Sequence, residues 1–330
     1  MISSLQLAKL CGVSQGTVDR ALHTRLGINT ATQEKILKIA KHHGYKPNPA
    51  ARELLGGKRT LVGALAPAKG SVFFMDLMNA IRQVLIRERF RFYLYSFSDE
   101  TDFFEAMDDF AARRCAALVT VPPREGLKLA TRHTTNQPII TLLSPCHGAS
   151  VYFVAPDEVN TGRQAVEYLW RKGHRRILHL TYHREATGIH DRAEGYRQAM
   201  RRRNAAPDVR KVADNLAIMR AIRAYRPSAV FCHNDWLALK TIRALNQAGL
   251  RVPEDISVLG VDNSPTFADL CPDISTLQYP MTAVAERCLA IIQGGFAQSG
   301  FAARPVGRFE IVERQTVGRV HPRGVEPPRP

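Results

Sequence analysis

The sequence has no apolar run that approaches the roughly 20 residues needed to span a bilayer, which excludes an integral membrane protein. No basic residue precedes the first apolar stretch, and Gln6 and Lys9 interrupt that stretch, so the N-terminus does not resemble an export signal. We therefore expect a cytoplasmic protein with no membrane partner.

The six cysteines are dispersed, and none of them forms a CxxC pair. That spacing is typical of reduced thiols rather than of a disulfide framework or a zinc site. His179 and His183 have the spacing of a metal-binding pair, but they run from a predicted strand into a loop with no third ligand nearby. The phosphate-binding loops GxxxxGKS/T and GxGxxG are absent as well. We expect no metal ion and no cofactor.

One motif points to an enzyme. Gly12-Val-Ser-Gln-Gly16 matches the G-x-S-x-G turn that carries the nucleophile of serine hydrolases. That turn needs a strand before the serine, whereas here a helical pattern precedes it and the first predicted strand begins at residue 61. The hydrolase hypothesis is therefore disfavoured, and we expect no enzymatic activity.

Acidic residues are scarce. The chain has 30 Asp and Glu against 46 Lys and Arg, a formal net charge of +16. Residues 1–60 hold ten Lys and Arg against Asp19, Glu34 and Glu53, a net charge of +7. Because a positive field attracts polyanions, nucleic acid is a candidate partner.

The first 46 residues have the pattern of three short helices with no strand. Ser4 is expected to cap the first helix, with Leu5 and Leu10 among its inward residues. Ser14 is expected to cap the second helix, and Asn29 a third that ends at Gly44. The pattern indicates a compact all-helical unit.

The first two predicted helices are joined by a tight turn, and the second carries small polar residues and Arg20. Such a second helix suits insertion into the major groove of DNA. Gln15 suits adenine and Arg20 suits guanine. The alternative is a generic three-helix domain, which the local charge disfavours.

The length of 330 residues corresponds to roughly two domains, or to one domain with an appendage. Residues 47–59, bounded by Pro and Gly, are predicted to form a linker or hinge helix. Residues 321–330 are predicted to form a disordered tail. Between them, amphipathic helices alternate with apolar runs that read as buried strands: 61–66, 92–97, 117–121, 139–143, 177–182, 229–234 and 256–262. Such alternation predicts parallel α/β sheets, and the number of units favours two Rossmann-like lobes over 60–320.

These motifs together resemble the LacI/GalR transcription regulators. The resemblance is carried by Val13-Ser14-Gln-Gly-Thr17-Val18-Asp19-Arg20-Ala-Leu22, Gly44-Tyr45-Lys-Pro47-Asn48-Pro, Lys172-Gly-His-Arg-Arg-Ile177, Arg192-Ala-Glu-Gly-Tyr196, His233-Asn234-Asp235 and Gly260-Val-Asp262. It implies an N-terminal all-α helix-turn-helix headpiece followed by two parallel α/β lobes of periplasmic-binding-protein type. Gly16 and Asp19 depart from the usual recognition helix, so the operator sequence does not transfer from relatives.

The resemblance also implies how DNA is contacted. Arg20, with Gln15 and Thr17, is expected to read bases. The residues that it places near phosphates are Ser14, Asn29, Thr32, Tyr45 and Asn48. Leu54 of each subunit is expected to insert between base pairs in the minor groove when the hinge folds on the operator.

A second site is expected in the cleft between the lobes, at the carboxyl ends of the strands. The predicted effector-binding residues are Phe73, Phe74, Asp157, Arg192, Asn234 and Asp262. The polar groups suit the hydroxyls of a sugar or sugar derivative, and the two aromatic residues suit its ring. The alternative is that Asp235 and Asp262 only cap helices and that Arg192 lies on the surface.

The favoured hypothesis is a homodimeric, ligand-responsive repressor of a carbohydrate-related operon. It would bind a pseudo-palindromic operator in double-stranded DNA. The alternative is a sugar-binding solute receptor without a DNA role, which would have the two lobes but no headpiece.

Overall fold

The structure is a computed structural model, and it describes residues 2–22, 27–45, 59–68, 72–129, 137–183, 186–294 and 305–320. The chain divides into two compact units, residues 1–59 and 60–330. Most of the predicted 47–59 hinge, with Asn48 and Leu54, and the predicted 321–330 tail lie outside the described residues.

The described part of the N-terminal unit contains three helices: α1 (Ser4–Cys11), α2 (Gln15–Leu22) and α3 (Thr30–His42). They surround a small core of Leu7, Ala8, Cys11, Val18, Ala21, Ile36 and Ala40. The prediction for the start of α1 was wrong by one residue, since Ser3 and Gln6 form a reciprocal capping box there. The prediction that Leu5 and Leu10 face inward was also wrong, since α1 packs on the core through Leu7, Ala8 and Cys11 and leaves Leu5 and Leu10 exposed.

The first lobe of the larger unit is a fully parallel five-stranded sheet of order β2-β1-β3-β4-β5. Its strands are β1 (Leu61–Pro67), β2 (Arg91–Phe97), β3 (Ala117–Thr120), β4 (Ile139–Leu142) and β5 (Val151–Val154). Its helices include α4 (Val72–Arg87) and α5 (Glu100–Ala112).

The second lobe is a six-stranded sheet of order β11-β10-β9-β8-β6-β7, in which only β11 runs antiparallel among the described strands. Its strands are β6 (Ile177–Thr181), β7 (Asp208–Lys211), β8 (Ala229–Cys232), β9 (Ser257–Asp262), β10 (Thr276–Gln278) and β11 (Glu310–Val312). Its helices are α6 (Glu158–Arg171), α7 (Thr187–Arg201), α8 (Asn215–Tyr225), α9 (Asp235–Gln247) and α10 (Pro265–Leu270).

The chain passes between the lobes three times. It enters the second lobe after β5, returns after β10 to form α11 (Met281–Ile292) against α4, and crosses again before β11. The first and third crossings are joined by a hydrogen bond from Val306 N to the carbonyl oxygen of Ala155 at 3.0 Å. The predicted two-lobed α/β architecture is thus confirmed.

The seven predicted strands all form, but one was wrongly described as buried. β2 is the edge of its sheet, and Tyr93 and Tyr95 on it are exposed. The sequence pattern did not predict β5, β7, β10, β11 or the short helix α10. The missed strands have only three or four residues, and β7 is largely charged, so they carry little periodic signal.

Helices α6 and α7 touch backbone to backbone at two glycines. A Cβ on Gly195 would lie 1.8 Å from the carbonyl oxygen of Val159, and a Cβ on Gly162 would lie 2.1 Å from that of Arg192. Only glycine allows so close an approach. The crossing brings Glu158, one turn before Gly162, beside Arg192, one turn before Gly195.

Candidate functional site

Most of the predicted DNA-contact residues within the described part of the N-terminal unit lie near the starts of α2 and α3, whereas Arg20 lies in the last turn of α2 and Tyr45 follows α3. Gln15 and Arg20 are exposed on α2, while Ser14 and Asn29 precede α2 and α3. The remaining three are half-buried: Thr17, Thr32 and Tyr45.

Several of these side chains already hold the helices. Ser14 Oγ accepts from Thr17 N at 3.2 Å, and Asn29 Oδ1 accepts from Ala31 N at 2.8 Å, so both cap helix N-termini. Gln15 Nε2 donates to Ser4 Oγ at 2.5 Å, which ties α2 to α1. An exposed Arg20 therefore extends from a helix whose position is fixed.

A cavity of about 1120 Å³ lies between the two lobes of the larger unit. All six residues predicted to bind an effector line it: Phe73, Phe74, Asp157, Arg192, Asn234 and Asp262. Phe73 and Phe74 come from α4 of the first lobe, and the polar residues come from the second lobe or its entry. The structure thus brings together residues that are distant in sequence.

Arg192 forms a buried ion pair in the wall of this cleft. Its Nε donates to Glu158 Oε2 at 2.8 Å and its Nη2 lies 2.6 Å from the same oxygen. Its Nη1 donates to the backbone carbonyl of His233. Burial raises the pKa of Glu158, and the charge of Arg192 opposes that rise. The alternative of a surface Arg192 is wrong, since this residue is 4% exposed.

Asp157 and Asn234 occupy equivalent places at helix starts. Asp157 Oδ1 accepts from Asn160 N at 2.9 Å and caps α6, while Asn234 Oδ1 accepts from Leu237 N at 2.9 Å and caps α9. Asn234 Oδ1 also accepts a 2.8 Å hydrogen bond from the Tyr182 hydroxyl. Capping therefore positions both side chains at the cleft and does not exclude a contact with a ligand.

Asp235, the first residue of α9, and Asp262, the last residue of β9, form a carboxyl pair. Asp235 accepts from Thr276 Oγ1 at 2.6 Å and from Asn263 N at 2.7 Å. Burial raises the pKa of Asp235 to about 7. Burial and the neighbouring Asp235 raise the pKa of Asp262 well above its usual range. Asp262 is not a helix cap, because Ser264 occupies that place before α10.

This pair predicts a pH dependence of stability. Between about pH 4 and 7 Asp235 binds a proton when folded and loses it when unfolded, so rising pH favours unfolding in that window. We expect Asp235→Asn to remove a slope of at most about 1.4 kcal/mol per pH unit. Denaturant unfolding from pH 4.5 to 7.5 measures it, with exposed Asp214→Asn, which also caps a helix, as the control. Parallel curves for wild type and Asp235→Asn would contradict the prediction.

The cleft is also lined by residues that were not predicted from the sequence to bind an effector. Tyr182 ends a predicted strand and could have been found by the same rule as Asn234. Tyr279 packs its ring 5.0 Å from Phe73, and its hydroxyl has no hydrogen-bond partner among the described residues. His233 Nδ1 is likewise without one, and burial lowers the pKa of this histidine.

The ionisable side chains lining the cleft are mainly acidic. The acidic residues are Asp157, Glu158, Asp191, Asp235 and Asp262, and the basic ones are Arg192 and Lys240. Since Arg192 is already paired with Glu158, little positive charge remains for an anionic ligand. Within the described ranges, no cluster of three or more potential metal ligands occurs, and no helix could span a membrane.

Comparisons with known proteins agree with both halves of the structure. Residues 6–48 match the family described as bacterial regulatory proteins, lacI family, and residues 166–317 match the periplasmic binding protein-like domain. An HTH-type transcriptional repressor PurR of Vibrio vulnificus is 26% identical over 335 residues, which cover 97% of this chain and 100% of that protein. The ribose operon repressor of Escherichia coli is 27% identical over 305 residues, or 88% and 92% of the two chains.

Solved structures show the same fold. A lac repressor dimer bound to operator and the anti-inducer ONPF has a TM-score of 0.78 at 22% identity, covering 96% of this chain and 99% of that one. The transcriptional regulator CelR in complex with cellobiose has a TM-score of 0.62 at 22% identity, covering 96% and 100%. The headpiece motif, the two lobes and these full-length matches lead to one conclusion. The chain carries a LacI-family helix-turn-helix domain at residues 6–48 and is similar along its length to transcriptional repressors.

Proposed function

We propose that this protein is a ligand-responsive repressor of a carbohydrate-related operon. Two copies form a homodimer, present two headpieces to a pseudo-palindromic operator, and each bind a small uncharged sugar or sugar derivative. The observation that carries the proposal is a helix-turn-helix surface and a polar, aromatic-lined cleft in one chain. We assign residues 1–46 to the headpiece, 47–59 to the hinge and 60–320 to effector binding and dimerisation.

The uncharged effector follows from the chemistry of the cleft. The backbone carbonyl of Asp262 accepts from Tyr279 N at 2.9 Å, but its carboxyl group makes no hydrogen bond to any described residue. A carboxyl group is well suited to a sugar hydroxyl. Phe73, Phe74 and Trp236 supply aromatic surface for a ring. A phosphorylated sugar would meet Asp157 and Asp191, with Lys240 as the only basic side chain among the described lining residues that is not paired with Glu158, at an unfavourable electrostatic cost. The ribose and cellobiose relatives support a carbohydrate without identifying it.

Operator binding and its ligand response test the proposal together. Mobility shifts with the DNA that flanks the protein's own gene are measured over a salt series, since phosphate contacts strengthen at low salt. Neutral sugars, their phosphates and free purine bases are then added. Absence of binding at low salt contradicts a regulator and leaves the solute receptor. A response only to phosphates or only to purines contradicts the effector class.

Arg20→Ala tests base recognition by α2. We expect a loss of about 1–3 kcal/mol in operator affinity and a relaxed preference at one operator position. Binding to a library of single-base operator variants measures both. Lys38→Ala, which removes an exposed charge from α3, is the matched control and should weaken all sequences equally. The same uniform loss for Arg20→Ala would mean that Arg20 contacts only the DNA backbone.

A further inference from the structure

Two carboxylates of the first lobe reach across to the second lobe. Glu125, in the loop after β3, accepts at 2.7 Å from Thr187 N and at 2.5 Å from Thr187 Oγ1. Asp76, on α4, accepts at 3.1 Å from Thr266 N and at 2.7 Å from Thr266 Oγ1. Each acid thus binds both the backbone and the side chain of a threonine at a helix start.

The two helices that receive these acids lack caps of their own. Ala186 occupies the capping position of α7 and Ser264 that of α10, and neither makes a side-chain capping bond. In contrast, α6, α8 and α9 of the same lobe are capped by the residue directly before them. A carboxylate is favourable at a helix start, where backbone N–H groups lack partners. In α7 and α10 the other lobe supplies that group.

The contacts flank the cleft. Helix α7 follows β6 and α10 follows β9, and these strands lie on either side of β8 in the sheet. Each helix also carries a cleft-lining residue, Arg192 on α7 and Phe267 on α10. A movement that opened the cleft would separate Glu125 from Thr187 and Asp76 from Thr266, and would expose both helix starts.

We propose that Glu125 and Asp76 are positioning residues of the effector cleft. Their hydrogen bonds to Thr187 and Thr266, which we call the clasp, tie α7 and α10 to the first lobe and hold the two lobes in the closed arrangement. The clasp acts before any ligand arrives and sets the ratio of closed to open lobes, so it does not depend on which molecule binds. Its effect on DNA affinity does rest on the proposed function, because only a regulator couples lobe closure to an operator.

The distance between the lobes tests the clasp directly in ligand-free, full-length protein. Spin labels are placed through an unnatural amino acid at Glu105 in the first lobe and Leu216 in the second, both exposed. Labelled chains are diluted with unlabelled ones, so that distances within one chain dominate. Loss of a helix cap corresponds to about a fivefold change in an equilibrium. We expect Glu125→Ala or Asp76→Ala to lower the closed-to-open ratio about fivefold, and the double variant about 25-fold.

Glu100→Ala is the matched control, because Glu100 accepts from Arg124 within the first lobe at 2.9 and 3.0 Å. It should leave the distance distribution unchanged. Thr187→Val with Thr266→Val removes the hydroxyl donors from the other side and should open the cleft in the same direction, to a smaller extent. Distances equal to wild type in both double variants would overturn the clasp. Opened lobes without any change in DNA binding would keep the clasp and contradict the proposed function.

Discussion

Gly195→Ala is expected to destabilise the two-lobed unit by about 3 kcal/mol, the upper end of ordinary overpacking. The added Cβ would lie 1.8 Å from the Val159 carbonyl oxygen, which is backbone and cannot rotate away. Helices α6 and α7 would have to separate, and the Glu158–Arg192 pair would separate with them. Such a loss corresponds to a fall of roughly 6–12 °C in melting temperature for a unit of this size.

Tryptophan fluorescence during thermal and denaturant unfolding measures this effect. Both tryptophans, Trp170 and Trp236, lie in the two-lobed unit, so the headpiece does not contribute to the signal. Gly188→Ala on the same helix is the control, because its Cβ would have only ordinary contact with Glu158 Cγ at 3.7 Å. Equal stabilities for the two alanine variants would show that the glycine contact at Val159 is not tight.

Arg192→Met is expected to cost about 3–5 kcal/mol of stability, because it leaves the buried carboxylate of Glu158 without its partner. The double variant Arg192→Met with Glu158→Met removes both charges and should recover most of that loss. Side-chain exposures of 5% and 8% place this pair among buried ion pairs. A double-mutant cycle from denaturant unfolding measures the coupling.

The double variant also tests the effector site without the effect of misfolding. We expect it to bind the operator with nearly wild-type affinity and to lose the response of operator binding to ligand. Arg192→Met alone cannot separate these effects, since the lost stability lowers the amount of folded protein. A double variant that responds at the wild-type ligand concentration would place the effector site elsewhere.

The second lobe illustrates how far periodicity reaches. β6, β8 and β9 were predicted because each is an apolar run, and the structure buries nearly the whole length of each. β7, Asp-Val-Arg-Lys, has no such signal, and it forms because β6 offers it a sheet edge. Likewise, Ser3 and Ser4 are equally good caps by composition, and only the Gln6 side chain selects Ser3.

The cleft residues divide in the same way. Asn234 and Asp262 could be predicted because each lies at or just beyond the end of a predicted strand, where parallel sheets present their ligand-binding edge. Asp157 could be predicted because it opens the amphipathic helix α6. Glu158 could not, since it lies in the first turn of an ordinary amphipathic helix. Its partner Arg192 is 34 residues away in sequence. Tyr279 lies on a crossing between the lobes, a place that no local pattern marks.

The sequence by itself determined the helix-turn-helix, the two parallel lobes and the strand ends that face the cleft. These depend on interactions over a few residues: caps, turns and the repeat of apolar side chains. Only the tertiary structure decided the backbone contact of Gly195 with Val159, the Glu158–Arg192 pair, and the reach of Glu125 and Asp76 across the cleft. Such contacts join residues that are far apart in the chain, and their energies depend on distances of a few ångströms that no spacing in the sequence encodes.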